Sequence, residues 1–118
     1  MLVTRKMCMT KDIGCNGNLF GGNMMAWIDE AAAIFAHLET EEKTMVTVKF
    51  DELVFKHPVR VGDIITFECL NAELGKTSIK FDVLVINEAK KVICSTKCVF
   101  VAVDENGNSK ELDRKEKS

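Results

Sequence analysis

Two adjacent acids, Asp29 and Glu30, stand in the middle of an apolar stretch and are the first residues that suggest chemistry. The stretch follows a loop rich in glycine and asparagine, and it continues for about four helical turns without proline or glycine. An ionised carboxylate on an apolar helix face is costly unless it is paired or solvated. Asp29 shares its expected helix face with residues that leave room for a backbone, a ligand or a water: Met25, Ala26, Ala32, Ala33 and Ala36. We therefore expect Asp29 to be the reactive acid and Glu30 a structural one, the alternative being a carboxylate that only reaches a solvated edge or an adjacent loop.

The loop before this helix supplies a second possible part of a site. Residues 17–22 read Gly-Asn-Leu-Phe-Gly-Gly, and glycines directly before a helix allow a substrate to approach the backbone. The first amides of a helix have no internal partners and carry the positive end of its dipole. Such amides stabilise a developing oxyanion by about 3–4 kcal/mol per donor. A carboxylate one to two turns further along would then activate water, the alternative being that the glycines only shape a tight loop.

Composition limits the classes of protein to which the chain can belong. With 118 residues and a mass of 13.2 kDa it has the size of one domain, 1–118, with a single core. A net charge of −2 gives no reason to expect nucleic acid or an anionic membrane as a partner. The sequence shows no secretion leader, and the two acids interrupt its longest apolar run, so we expect no membrane span and a cytoplasmic protein.

The five cysteines and two histidines give little support for a metal site or a thiol catalyst. The cysteines are spread along the chain without a Cys-x-x-Cys pair, and His37 is far from His57 in sequence, so no zinc site is expected. Cys15 lies in the glycine-rich loop, but it has no base near it in the sequence. Reduced, buried thiols that behave as small hydrophobes explain most of the cysteines.

The spacing of apolar residues predicts one helix and five strands. The helix is expected to begin with Asn23 or Gly22 as its N-cap and to be buried, since it is apolar nearly all round. A period of two predicts strands at residues 2–9, 44–55, 64–70, 78–86 and 92–103, the second with a bulge or bend at Asp51 and Glu52. Short connections force antiparallel neighbours, so the fold class is α+β, with an antiparallel sheet wrapped around one long helix. A second protomer would cover the side of the helix that the sheet leaves free, and the charged tail is expected to fray from about residue 110.

A series of short motifs runs along almost the whole chain. Gly-Asn-Leu-Phe-Gly-Gly at 17–22 is followed by Ile-Asp-Glu-Ala-Ala-Ala-Ile at 28–34 and Val-Thr-Val at 46–48. Phe-Lys-His-Pro-Val-Arg-Val-Gly-Asp at 55–63, Gly-Lys-Thr-Ser-Ile at 75–79 and Phe-Val-Ala-Val-Asp at 100–104 complete the series. The series resembles the hot-dog fold acyl-CoA thioesterases, in the group that contains the bacterial YciA-type enzymes and the brain-type cytosolic acyl-CoA hydrolases.

This resemblance implies a fold and an assembly. In the hot-dog fold an antiparallel five-stranded sheet wraps around one long helix, and two subunits pair to form a longer continuous sheet. The active sites lie at the dimer interface, and the dimers often assemble into trimers of dimers. The chain is therefore expected to be a homodimer or a trimer of dimers.

The resemblance also implies the site residues. The family's catalytic carboxylate matches Asp29, and its loop asparagine, contributed by the opposite subunit, matches Asn18. The backbone amides that polarise the thioester carbonyl match the segment at Gly21 and Gly22, and Thr47 lies where the family has a residue close to the site.

The reaction implied is hydrolysis of acyl-CoA to a free acid and CoA, with Asp29 as general base or nucleophile and with no cofactor or metal. Candidates for contact with the nucleotide end of CoA are cations and hydroxyl groups in two turns, Arg60, Lys76, Thr77 and Ser78. The residues before the loop lack the proline and the Thr-Asn pair usual in the bacterial members. Asn16 is therefore a rival to Asn18 for the polar role. Trp27 and Asn23 also replace the more usual residues, which leaves the acyl-chain preference open.

Two other functions are compatible with the same fold. One is a non-catalytic domain that binds acyl-CoA as a sensor or scaffold; such regulators usually carry a DNA-binding segment, for which this chain has no room. The other is a dehydratase, which uses a histidine paired with an acid, and neither His37 nor His57 matches that position.

Overall fold

The structure, a computed structural model, describes residues 1–112 and contains one long helix and six strands. The helix, α1, spans Gly21–Thr40. The strands are β1 Leu2–Met7, β2 Met45–Phe50, β3 Val54–Phe55, β4 Ile64–Leu74, β5 Ser78–Asn87 and β6 Val92–Ala102. No helix in this part of the chain is long and apolar enough to cross a lipid bilayer.

All strands belong to one antiparallel sheet in the order β1-β4-β5-β6-β2, with β3 also paired to β6. The predicted α+β architecture is therefore confirmed. The sheet has six strands rather than five because the long second strand that was predicted breaks at residues 51–53 into β2 and β3. This break confirms the expected bend at Asp51 and Glu52, and it leaves β1 and β2 as the outer strands.

The helix begins earlier than its sequence suggested. Its N-cap is Phe20, an extended residue without a side-chain cap, and Gly21 is its first residue. The N-cap predicted at Asn23 or Gly22 is wrong because the side chain of Asn23 has another role. Its Nδ2 donates to the carbonyl oxygen of Asp12, 2.9 Å away, which ties the first helical turn to the segment before the loop.

The sheet covers only one side of α1. The buried residues repeat at helical spacing and face the sheet: Met24, Ile28, Ala31, Ala32, Phe35, Ala36 and Thr40. Elsewhere on the helix surface Met25 and Leu38 are each 56% exposed and Ile34 is 40% exposed. The expectation of a helix buried all round is therefore wrong for the single chain, and apolar side chains of α1 stay exposed.

Three boundaries also differ from the prediction. β1 ends at Met7 rather than residue 9, because the chain turns into a short 3₁₀ segment, Thr10–Asp12. β4 continues past residue 70 to Leu74, with a register shift between Leu70 and Glu73. The chain is still held at residue 112, whose amide donates to the Lys76 carbonyl. The expected fraying beyond it concerns residues 113–118, which lie outside the described part.

The core between helix and sheet is centred on Phe81. Its ring centroid lies 4.7 Å from that of Phe35 on α1 and 5.9 Å from that of Phe100 on the neighbouring strand β6. All three side chains are at most 3% exposed. Contact between α1 and the middle of the sheet therefore depends on this aromatic cluster.

We predict that Phe81→Ala lowers the free energy of unfolding by about 3–5 kcal/mol, since it opens a cavity where three rings meet. Urea unfolding followed by circular dichroism, at one fixed protomer concentration, measures the change. Val61→Ala is the control; this side chain is 47% exposed in a turn, and its loss should cost less than about 1 kcal/mol. Equal losses in the two variants would contradict this placement of the core.

Candidate functional site

Asp29 lies on the exposed side of α1 and is bonded to the outer strand β2. Thr47 Oγ1 donates a hydrogen bond of 2.7 Å to Asp29 Oδ1. Both residues are exposed in the single chain, so Asp29 is not the buried acid that the apolar run suggested. The Thr47 bond fixes one carboxylate oxygen, and within residues 1–112 Oδ2 accepts no hydrogen bond.

Glu30, the other acid of the pair, points to a different neighbour. Lys6 on β1 approaches Glu30 Oε1 to 3.4 Å, and the Lys6 ammonium also lies 6.0 Å from the ring centroid of Trp27. This exposed ion pair links the helix to the outer strand β1 and contributes at most about 1 kcal/mol. The two acids therefore differ in surroundings, as predicted, and only Asp29 meets a hydroxyl donor from the strand at the opposite edge of the sheet.

The loop before α1 is a closed turn. The amide of Gly14 donates to the Asn18 carbonyl at 2.8 Å, and the amide of Gly17 donates to the Gly14 carbonyl at 3.0 Å. The Asn16 side chain takes part, because its Oδ1 accepts the Asn18 amide at 3.0 Å. Gly17 has φ +82°, a left-handed conformation that favours glycine. The turn therefore holds Asn16 and Asn18 in a defined arrangement.

The first amides of α1 are open, as the glycines suggested. Within residues 1–112 the N–H groups of Gly21 and Gly22 make no hydrogen bond. A Cβ atom placed on Gly22 would lie 2.7 Å from Cε2 of the half-exposed Phe20 ring. Glycine at this position therefore allows the Phe20 ring to lie against the start of the helix.

The first amides of α1 and the Asp29 carboxylate are separated along the helix. Asp29 follows Gly22 by seven positions, which is about 10 Å along the helix axis. A donor in an oxyanion hole must lie about 3 Å from the oxygen it stabilises, and a general base must be equally close to its water. A substrate on which both groups of one protomer act would therefore have to span about two turns of α1.

A groove of about 340 Å³ joins the loop to the turn that follows β3. Its lining residues come from the loop, the start of α1 and the turn: Asn16, Asn18, Leu19, Gly21, Met24, Phe55, Lys56, His57, Pro58 and Val59. The Leu19 amide donates to the Val59 carbonyl at 2.7 Å, which fixes the two walls to each other. Lys56 and His57 were not among the predicted site residues, although a lysine and a histidine directly before Pro58 and close to Arg60 in sequence were a visible signal.

A smaller apolar cavity of about 190 Å³ lies between α1 and the break after β2. It is lined by Met25, Ile28, Phe50, Asp51 and Leu53. Met25 precedes Asp29 by one helical turn on the same face. The carboxylate therefore has apolar surface beside it as well as open solvent.

The predicted CoA contacts fall into two separate groups. Arg60 lies before β4, whereas Lys76, Thr77 and Ser78 lie after it, and this strand of 11 residues is roughly 35 Å long. Lys76 pairs with Glu111 at 3.1 Å on the surface. The structure thus does not bring the four residues together within one chain.

The histidines and possible metal ligands are dispersed. His37 Nδ1 lies 2.6 Å from the Glu42 carbonyl oxygen, at the C-terminal end of the helix and away from the groove. His57 lines the groove. In the part of the chain that the structure describes, no three His, Cys, Asp or Glu side chains are grouped as metal ligands.

Comparison with known proteins places the chain in a family. The sequence profile of the thioesterase superfamily matches residues 16–94 of this chain. The chain belongs to the thioesterase superfamily. It is 34% identical over 121 residues to the acyl-CoA thioester hydrolase YciA of Salmonella typhimurium, covering 94% of this chain and 89% of that protein. The predicted family and the thioesterase class are therefore confirmed.

Solved structures agree with the family. The hexameric thioesterase of Yersinia pestis has a TM-score of 0.86 at 30% identity, covering 97% of this chain and 96% of that one. Two variants of an acyl-CoA hydrolase from Staphylococcus aureus have TM-scores of 0.83 and 0.82, at 27% and 26% identity. They cover 92% of this chain and 68% and 69% of theirs. An asparagine is replaced by alanine in one variant and an aspartate in the other, and these two residues are fifteen positions apart. The hot-dog fold predicted for this chain is thus confirmed.

The cysteines divide into one exposed and four buried thiols. Burial raises the pKa of Cys69 to about 12 and that of Cys94 to about 11. Burial also raises the pKa of Cys98 and of Cys8, with nearby acids adding to the effect in both cases. Because the thiolate is the reactive form, these four groups are inert near neutral pH. Cys15, in the loop beside Asn16, is the exposed one.

We predict that one thiol per native protomer reacts quickly with an aromatic disulfide reagent in mildly alkaline buffer, and that Cys15→Ser removes this fast phase. The four buried thiols should react only after unfolding, since burial keeps them protonated and covered. Absorbance of the released thiolate against time measures both phases. A fast phase that survives in the variant would contradict the burial of the other four.

Proposed function

We propose that this protein hydrolyses acyl-CoA thioesters to a carboxylic acid and CoA. Asp29 takes a proton from a water whose oxygen attacks the thioester carbonyl carbon. The carbon–sulfur bond then breaks, and the sulfur leaves as a thiolate that takes up a proton. The observation that supports this most directly is the Asp29 carboxylate itself, which is exposed on the free face of α1 with one oxygen held by Thr47.

Thr47 is proposed as the residue that orients the base. Its hydroxyl group donates a hydrogen bond to Asp29 Oδ1, so Oδ2 is the oxygen left to receive the proton of the water. A donated hydrogen bond of this kind also limits rotation of the carboxylate, which keeps Oδ2 aimed at one place. If Asp29 instead attacked the carbonyl directly, as a nucleophile, the same bond would orient the attacking oxygen.

The complete site is proposed to lie between two protomers. The amides of Gly21 and Gly22 are about 10 Å along the helix axis from the carboxylate of their own chain. Two chains that pair through the free faces of their helices would bring the loop of one chain to Asp29 of the other. Met25, Ala26 and Ala33 are exposed on the same side of α1 as Asp29 and supply apolar surface for such pairing. We propose a homodimer that assembles into a trimer of dimers, as the hexameric relatives suggest.

The loop supplies the polarising groups. The open amides of Gly21 and Gly22, at the positive end of the α1 dipole, are proposed to bind the thioester carbonyl oxygen. The side-chain amide of either Asn18 or Asn16 orients the carbonyl or the water, since both asparagines line the same groove as Gly21.

The nucleotide end of CoA is proposed to meet cationic residues from more than one chain. Arg60 follows the groove-lining residues Lys56 and His57, and all three are exposed. Lys76, Thr77 and Ser78 lie at the far end of β4, so they would reach the same CoA only from another protomer. The lysine and arginine cations pair with phosphate groups, and the hydroxyl groups can donate hydrogen bonds to them. We propose that the reaction needs no cofactor. We also propose that the protein works in a reducing compartment such as the cytoplasm, since its cysteines are free thiols.

We predict that Asp29→Asn lowers kcat by about 10²–10⁴-fold on any acyl-CoA that the native protein hydrolyses, because it removes the base and keeps the shape. Thr47→Val, which removes only the orienting bond, should lower kcat by about ten- to a hundredfold. Release of CoA thiol from a panel of acyl-CoAs measures both. A native protein that binds CoA tightly but hydrolyses none of the panel would favour an acyl-CoA sensor instead.

We predict that two inactive variants recover activity when they are combined. Asp29→Asn and the double variant Asn16→Ala/Asn18→Ala, co-expressed in equal amounts and purified through a tag that both carry, should regain about a quarter of the native rate per protomer. Half of randomly paired dimers are mixed, and one of their two sites then has both native halves. A site confined to one chain has no intact copy in such mixtures, so failure to recover would contradict the shared site.

A further inference from the structure

The loop asparagines of this chain lie closer in sequence to Asp29 than the corresponding asparagine and aspartate of a structural relative lie to each other. In the Staphylococcus aureus hydrolase the two residues replaced by alanine, an asparagine and an aspartate, are fifteen positions apart. If Asp29 is the counterpart of that aspartate, the residue fifteen positions before it is Gly14. Glycine has no side chain, so this chain has no amide to offer from that position. Asn16 and Asn18 follow two and four positions later.

The Asn16 side chain lies beside the place where a side chain from position 14 would begin. A Cβ atom placed on Gly14 would be 3.7 Å from Asn16 Oδ1. The closed turn produces this approach, because the Gly17 amide bonds to the Gly14 carbonyl and brings the two sides of the turn together. The side-chain amide of Asn16 therefore lies next to the region that the side chain of an asparagine at position 14 would occupy.

The hydrogen bonds of Asn16 are also compatible with a side-chain NH₂ group that donates to a substrate. Its Oδ1 accepts the Asn18 amide at 3.0 Å, so the carbonyl half of the side chain is fixed by the loop. Within residues 1–112 its Nδ2 donates no hydrogen bond, and the side chain is exposed on the wall of the groove. Asn18 contributes its backbone to the turn, whereas its side chain has no hydrogen bond there that would hold it in one orientation.

We propose that Asn16 is the residue whose side-chain amide takes part in the reaction, in compensation for the missing side chain at Gly14. This deepens the proposed hydrolysis and rests on it. The Asn16 Nδ2 group donates a hydrogen bond to the thioester carbonyl oxygen, or to the water that attacks it, in a site completed by Asp29 of the partner. The Asn18 amide, by holding Asn16 Oδ1, sets the direction in which Nδ2 points.

The test moves the amide from position 16 to position 14. Asn16→Ala should lower kcat by about 10²-fold, as expected for loss of one preorganised donor, with a smaller effect on KM. Gly14→Asn in the Asn16→Ala background should recover most of the lost kcat. Gly14 does not have a positive φ, and a Cβ there would meet Phe20 Cδ1 at an ordinary 3.4 Å, so an asparagine fits the backbone.

Two further variants separate the amide from loop structure. Gly14→Ala/Asn16→Ala adds the Cβ atom without the amide and should stay as slow as Asn16→Ala. Asn16→Asp keeps the oxygen that accepts the Asn18 amide but lacks the donor, and it should also be slow. Circular dichroism and size-exclusion chromatography of each variant verify folding and assembly. Recovery by Gly14→Ala/Asn16→Ala would assign the effect to loop shape and overturn the proposal.

The outcome is distinguishable from failure of the proposed function. A native protein without hydrolase activity would overturn the hydrolysis itself. An active native protein whose Asn16→Ala variant keeps its full kcat, while Asn18→Ala loses it, would overturn only the assignment to Asn16. Loss on Asn16→Ala without any recovery by Gly14→Asn would overturn the compensation between the two positions.

Discussion

The incomplete cover of α1 by the sheet is the constraint on which the rest of the structure depends. A curled antiparallel sheet buries the side of the helix that carries Met24, Ile28 and Phe35 and leaves the opposite side in contact with solvent. Asp29 is on that opposite side, so its carboxylate stays accessible without being an uncompensated charge in the core. The same arrangement exposes apolar surface that is stable in water only at a cost, and it therefore favours pairing.

The rise of the helix adds a second constraint. Open amides lie at its start, and the carboxylate lies about 10 Å further along its axis. In the dimer that we propose, two antiparallel helices would pair through their free sides. Such pairing would cover exposed apolar side chains of α1 and bring the start of one helix near the middle of the other.

Several features could be predicted from local sequence. Alternating residues in β5 and β6 gave the correct strands, since each alternation reports one face buried against the core. The bend at Asp51 and Glu52 was visible as two charges inside an apolar run. The start of the helix could not be predicted in this way. Asn23 resembles an N-cap in the sequence, but its side chain bonds to the Asp12 carbonyl, which is eleven residues away.

The sequence by itself determined the fold class, the family and the identity of the unusual acid, because periodicity and short motifs are local properties. Only the tertiary structure decided that Asp29 is exposed, that Thr47 holds it, and that Lys56 and His57 share a groove with the loop. It also separated Arg60 from Lys76 by the length of β4. These facts depend on which side of the helix the sheet covers and on contacts between distant segments, and no window of sequence records either.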